Sequence, residues 1–149
     1  MKTANEPNPS FFEVRDLSSA SIGIDLTFVP EFAKVVEDSA SFFLKETFTE
    51  WERGRAKSKP KDQSAYFFAG RYAAKEAFIK ALDGRRLFLE PDLILKYSEI
   101  EIRNDDYGRP YFRFYGNLAE YIRSLNPSSI RLSISHTEDY AFSEVLLIL

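Results

Sequence analysis

The 149-residue chain contains no cysteine. That excludes disulfides, thiolate catalysis and any cysteine zinc site together, and it is compatible with a reducing cytoplasm. Long apolar runs are also missing: the most apolar stretch at the end, Val145 to Leu149, is the size of a strand, not of a membrane span. The first ten residues, MKTANEPNPS, lack the apolar core of a secretory signal. Neither G-x-x-x-x-G-K-[ST] nor G-x-G-x-x-G occurs, so the common nucleotide-binding loops are absent. There is no surplus of positive charge either. The 20 Lys+Arg and 23 Asp+Glu leave a net charge of −3, which argues against a general nucleic-acid binder, because such a protein must displace counterions from phosphates with a basic surface. A soluble cytoplasmic protein without nucleic-acid or membrane partners is the expectation.

Apolar residues are plentiful at 44%, enough for a core, and the length fits one domain. The 14 Phe and 8 Tyr point to a bulky core or to extensive subunit contacts. Residues 1–20 are expected to form a loose tail, and residues 21–149 a single domain. Ser21 to Leu26 alternates, with Ile22, Ile24 and Leu26 on one face and Gly23 and Asp25 on the other, which is a strand pattern. Pro30 suits the first turn of a helix running to about Val36. Phe42 to Trp51 is expected to be helical in part. Arg53 to Lys61 holds five cations and no acid. It is read as a solvated loop or as a contact for phosphate or an acidic partner.

Asp62 to Leu82 predicts the main helix, with Asp62 as N-cap, alanines at 69, 73, 74, 77 and 81, and Gly84 as the stop. It is apolar on more than one side, which marks a central, buried helix. Strands follow at Glu99–Arg103 and Tyr111–Tyr115, joined by a turn at Asp106-Tyr107-Gly108. A short helix is expected from Asn117 to Arg123, then strands at 130–135 and Tyr140–Ile148. This order implies an α+β fold.

Three residues stand out chemically. Glu76 lies within the apolar helix, where a carboxylate needs an ion-pair partner or a cation; Lys80, one turn on, supplies the first alternative. Asp25 reads as an outward solvated carboxylate, as a cap for the next turn or, together with Glu76, as a hard-oxygen ligand for Mg²⁺. His136, the sole histidine, ends a strand in Ser135-His136-Thr137. It suits a backbone hydrogen bond, a phosphate or substrate contact, or proton transfer.

The motifs stand in a definite order: Ile22-Gly23-Ile24-Asp25-Leu26, AGRYAAKEAFIKAL from Ala69 to Leu82, EIEIRNDDYGRPYF from Glu99 to Phe112, and SISHTEDYA from Ser133 to Ala141. Together they resemble the holo-acyl carrier protein synthase class of the phosphopantetheinyl transferase family over nearly all of residues 21–149. The resemblance implies an antiparallel sheet packed around a long central helix. The implied reaction is transfer of the phosphopantetheine arm of coenzyme A to an acyl carrier protein, with Mg²⁺ held by Asp25 and Glu76. It further implies Arg71, Lys75 and Lys80 around the coenzyme phosphates, Ser135, His136 and Thr137 lining the coenzyme site, and Gly108, Arg109 and Pro110 approaching the adenine from a neighbouring subunit of a homotrimer. Glu76 is expected to act as base, Lys80 to add positive charge at the diphosphate, and His136 to bind before it catalyses.

Two departures accompany the resemblance. Family members often carry a Glu shortly after the metal-binding Asp, and here the run is Asp25-Leu26-Thr27-Phe28. The family's first helix is usually basic, whereas Glu31, Lys34, Glu37 and Asp38 set three acids against one base here. The basic run from Arg53 to Lys61 is the alternative surface for an acidic carrier. A module that binds coenzyme A or a carrier without transfer is the rival reading. A purely structural domain, in which Glu76 and Lys80 form an ion pair, is the third.

Overall fold

Alternation in the last strand shows how the main sheet is built. In β5 (Tyr140–Ile148), Ala141, Ser143, Val145 and Leu147 are buried while Phe142 and Leu146 on the opposite face stay open. β5 is the middle strand of three. It pairs antiparallel with β1 (Ala20–Phe28) on one side and with β4 (Ser129–His136) on the other. A second, two-stranded antiparallel sheet joins β2 (Ile100–Asn104) to β3 (Pro110–Phe114). The computed structural model describes residues 20–38, 40–86, 88–91 and 93–149; apart from Ala20, the expected N-terminal tail lies outside them.

Among the described residues five α-helices accompany the sheets: α1 (Val29–Glu37), α2 (Phe42–Thr47), α3 (Glu50–Lys57), α4 (Lys61–Gly84) and α5 (Gly116–Leu125). The long α4 arises from an alanine-rich run whose only β-branched residue is Ile79. Pro60, not Asp62, stands at its N-cap, and Gly84 is its last residue. Its C-terminal half is sandwiched. Ala74, Ala77, Phe78, Ala81 and Leu82 pack with Val145 and Leu147 of the large sheet, with Ile100 and Ile102 of the small one, and with Leu118 and Ile122 of α5. Its N-terminal half packs through Ala65, Phe67, Phe68 and Ala69 against Val29 and Phe32 of α1, Leu44 and Phe48 at α2, and Ala56 of α3. Complete burial of a side chain such as Phe78 contributes about 1.5–3 kcal/mol. The expected α+β architecture, antiparallel strands around a long helix, is the one observed.

Contact between β1 and α4 is close enough to demand glycine. A Cβ on Gly23 would stand 1.8 Å from the Ala77 carbonyl oxygen and 2.6 Å from the Ala81 nitrogen, so only a hydrogen fits there. Ser21 Oγ adds a hydrogen bond to the Ala81 carbonyl at 2.6 Å. The Gly23–Asp25–Thr27 face of β1 is therefore turned toward the helix. Ile22, Ile24 and Leu26 point the other way and remain more than half exposed. Asp25 is accordingly neither an outward solvated carboxylate nor a cap.

The basic segment is corrected too. Arg53 to Lys57 is helical, because α3 starts at a capping box: Thr49 Oγ1 accepts from the Glu52 amide at 3.2 Å and Glu52 Oε2 accepts from the Thr49 amide at 3.0 Å. Only the stretch from Ser58 to Pro60 connects α3 to α4 without helix. Asn117, expected as a cap, lies within α5.

Candidate functional site

Residues 75 and 76 of α4 point in different directions and serve different ends. Lys75 runs inward and is fully buried; its ammonium donates to the Thr47 carbonyl at 2.7 Å, to Glu52 Oε2 at 2.7 Å and to the Tyr97 carbonyl at 3.2 Å. All three of its protons are thus committed. Burial pulls the ammonium below the usual lysine range, and Glu52 opposes that pull. Glu52 in turn accepts from the Ile102 amide at 2.9 Å. The expectation that Lys75 lies at the coenzyme phosphates is therefore corrected: it ties α2, α3, α4 and β2 together from inside.

Glu76 emerges at a half-buried site. Its Oε1 accepts a hydrogen bond from the hydroxyl of Tyr97. The Tyr97 ring lies parallel to that of Tyr72, with centroids 5.9 Å apart. Burial pushes the Tyr72 hydroxyl up to about 12, reinforced by the charge of Glu76 and then by that of Asp25. Both carboxylates therefore lie within electrostatic reach of one hydroxyl. Asp25 comes from β1. Its Oδ2 accepts from Thr27 Oγ1 at 2.8 Å, and its Oδ1 receives the Lys80 ammonium at 2.9 Å. Lys80 also donates to the Ile24 carbonyl at 3.0 Å. Its partner is thus Asp25 across the strand, not Glu76 one turn back. Asp25 is well covered, with 14% of its side chain exposed, while Lys80 is 51% exposed.

A second cluster lies on another flank of the same helix. An open cleft of about 450 Å³ is lined by Lys59, Gln63, Tyr66, Phe67, Gly70 and Arg71, by Asn104, Gly108 and Pro110 of the hairpin, and by Ile134 and His136 of β4. Arg71 is buried, stacks 3.5 Å from the Phe67 ring centroid, and donates to Asn104 Oδ1 at 3.1 Å. Its Nε finds no acceptor among the described residues. Burial lowers it to about 10, the Glu52 charge opposing. The His136 ring lies 5.3 Å from that of Tyr66, whose hydroxyl donates to the Glu138 carbonyl. Gly108 takes φ +83° to close the hairpin turn, a conformation glycine adopts without strain.

The predicted site residues thus fall into two groups. Asp25 and Lys80 pair, with Glu76 one helical turn before Lys80; Arg71, Gly108, Pro110 and His136 line the cleft. At about 100° per residue, helix positions 72, 76 and 80 centre roughly 150° away from positions 63, 66, 67, 70 and 71. Arg109 is turned out, paired with Asp105 at 2.6 Å. Strand alternation sends Ser135 to the face opposite Ile134 and His136. Thr137 is exposed and donates its amide to the Tyr140 carbonyl at 2.8 Å. Sequence reasoning missed Tyr72, Tyr97, Glu52 and Asn104. Only Glu52 left a signal, the Thr49-x-x-Glu52 spacing of a capping box.

Can this set hold a divalent cation? Among the described residues no group of three or more acids or histidines is arranged for a metal ion. Two carboxylates suit Mg²⁺, which takes few protein ligands and completes its shell with water and substrate phosphate. The donor set fits that ion and not a closed structural site.

Comparison with known proteins gives a consistent likeness. Residues 21–143 match the model of the 4'-phosphopantetheinyl transferase superfamily. The chain is 39% identical over 127 residues to the holo-[acyl-carrier-protein] synthase of Mycobacterium tuberculosis, covering 85% of this chain and 94% of that one. Among solved structures, it superposes on the Chronobacterium ammoniagenes ACPS–CoA complex with a TM-score of 0.75 at 32% identity, covering 87% of this chain and 96% of the other. The Mycobacterium tuberculosis acyl carrier protein synthase gives 0.65 at 36% identity, with 85% and 95% covered.

Proposed function

The chain belongs to the 4'-phosphopantetheinyl transferase superfamily, and from that premise we propose that it transfers the 4'-phosphopantetheine arm of coenzyme A to a serine of an apo acyl carrier protein. The observation that carries this reading is Asp25 of β1 held by Lys80 of α4, with Glu76 one helical turn before Lys80 and both carboxylates acting on the Tyr72 hydroxyl. Asp25 and Glu76 would hold Mg²⁺, which when bound offsets the negative charge of the diphosphate. The serine hydroxyl attacks the phosphorus bearing the pantetheine arm. A new serine O–P bond forms, the phosphoanhydride bond breaks, and adenosine 3',5'-bisphosphate leaves. Glu76, directly or through a water, takes the serine proton. Lys80 places its ammonium at the diphosphate oxygens, and the leaving group, already a stable anion, needs no acid.

The cleft beside Arg71 suits the nucleotide end of coenzyme A. Arg71 lines it with its guanidinium, Lys59 brings a second cation, and His136 and Pro110 form walls. Because the cleft and the carboxylates occupy different flanks of α4, a site using both takes one flank from each of two copies. The uncovered face of Ile22, Ile24, Leu26, Phe28 and Phe142 supports such an assembly. The number three follows from the family resemblance. A fatty-acid-synthesis carrier, a cytoplasmic location and one domain over residues 21–149 belong to the same reading. Arg53, Arg55, Lys57, Lys59 and Lys61 form no ion pair among those found in the described residues, so they are the surface for an acidic carrier.

The test is intact-protein mass spectrometry of an apo carrier incubated with the chain, coenzyme A and Mg²⁺. The expected result is a mass gain equal to phosphopantetheine, lost with a chelator and reduced on the order of 100-fold in Asp25→Asn and Glu76→Gln. No gain on any carrier from a folded chain that binds coenzyme A would favour the non-catalytic binding module instead. Phe28, at the position where relatives often carry a Glu, then becomes the residue to question.

A further inference from the structure

Tyr97 is gripped at both ends by consecutive residues of one helix. Lys75, fully buried, donates to its backbone carbonyl at 3.2 Å. Glu76, the next residue, accepts from its hydroxyl. Between those anchors the ring lies flat against Tyr72, at an interplanar angle of 8°. The buried end is braced further. Lys75 is also held by Glu52 and the Thr47 carbonyl, and Glu52 is held by the Ile102 amide on β2. The backbone of the short 3₁₀ turn Tyr97–Glu99 is thereby referenced to α2, α3 and β2 at once. The hydroxyl transmits that position to the Glu76 carboxylate.

We infer that Tyr97 is a positioning residue that fixes the Glu76 carboxylate for cation binding by occupying Oε1 and leaving Oε2 to face the ion. The inference rests on the reading of Asp25 and Glu76 as metal ligands. A carboxylate on a two-carbon arm has rotamers to lose when it binds a cation. A hydrogen bond from a rigidly held phenol removes that freedom beforehand, as partners behind a metal ligand generally do. It also makes Glu76 a one-oxygen ligand, leaving coordination positions for substrate oxygens. Tyr72 supports the ring by stacking and brings its own hydroxyl within reach of Glu76, while the hydroxyl of Tyr97 holds Oε1.

Two variants separate ring from hydroxyl: Tyr97→Phe keeps the stack on Tyr72, and Tyr97→Ala removes both. Mn²⁺ is titrated into the full chain without coenzyme, and the free ion is read by electron paramagnetic resonance. In parallel, transfer rates are measured against Mg²⁺ concentration. The expected result is a Mn²⁺ dissociation constant raised about 10-fold in both variants. For Tyr97→Phe the half-saturating Mg²⁺ should rise by a similar factor, with kcat at saturating Mg²⁺ changed much less. Wild-type affinity in Tyr97→Phe, whatever Tyr97→Ala does, would overturn the inference and leave the metal reading standing. Failure of the wild-type chain itself to bind Mn²⁺ would overturn both.

Discussion

Two ion pairs hang from the same helix and have opposite characters. Lys75–Glu52 is sealed, both side chains fully buried, every proton and most lone pairs spent on backbone and side-chain partners. Lys80–Asp25 is open, its lysine half exposed. A sealed pair is expensive to assemble and more expensive to break, because removing one partner strands a charge without water. An open pair holds little, since water competes for its exposed member. Burial therefore assigns the roles: the first pair is framework, and the second is free to exchange its partner for a ligand. The adjacent positions 75 and 76 show how one helical step, about 100°, moves a charged side chain from framework to site.

The contrast can be broken from the sealed side first. Lys75→Ala should cost about 3–5 kcal/mol of unfolding free energy by leaving Glu52 buried and unpaired, measured by urea titration. A loss below about 1 kcal/mol would mean that water reaches Glu52, and that the pair is not framework in the sense argued.

Acid should act next, and on the same side. Burial alone would raise Glu101, but hydrogen bonds from Thr49, Arg103 and Tyr115 outweigh it and hold the carboxyl below 4.5. A depressed carboxyl stabilises the fold above its unfolded-state value, and that contribution is lost as pH falls through the folded-state value. The urea midpoint should therefore hold steady from about pH 7 to about pH 5 and decline below about 4.5, with Glu101→Gln flattening the decline.

The smallest effect belongs to the open pair. Lys80→Ala should change stability by less than about 1 kcal/mol and do so less at high salt, while transfer to the carrier falls far more than stability does. Comparable losses of stability and activity would erase the distinction between the two pairs.

Much of the fold was readable from pattern. Alanine spacing located α4 to within two residues at either end, and alternation located β4 and β5. The hairpin was given away by Tyr107-Gly108. The charge run from Arg53 suggests a loop, but the capping spacing Thr49-x-x-Glu52 makes Arg53 to Lys57 helical, because a cap decides where a helix starts. At the site, the motif residues Asp25 and Lys80 pair, and Glu76 is held by Tyr97. Their actual pairing, Lys80 with Asp25 across 55 residues, could not be read locally, because helix periodicity offers only the i,i+4 partner. The family resemblance implies Lys75 at the phosphates, and nothing in one dimension distinguishes an inward from an outward lysine on a helix that is apolar on several sides.

By itself the sequence determined the local conformations, since alternation, alanine content and turn chemistry act over a few residues. It also determined the family, through motifs spread across the chain. The tertiary structure alone decided which way each charged group faces: Gly23 lets β1 press against α4 and carry Asp25 inward to Lys80, Lys75 closes on Glu52 from another helix, and Tyr97 reaches Glu76 from beyond both. Burial and charge pairing depend on distances between segments far apart in the chain, and only packing sets those distances.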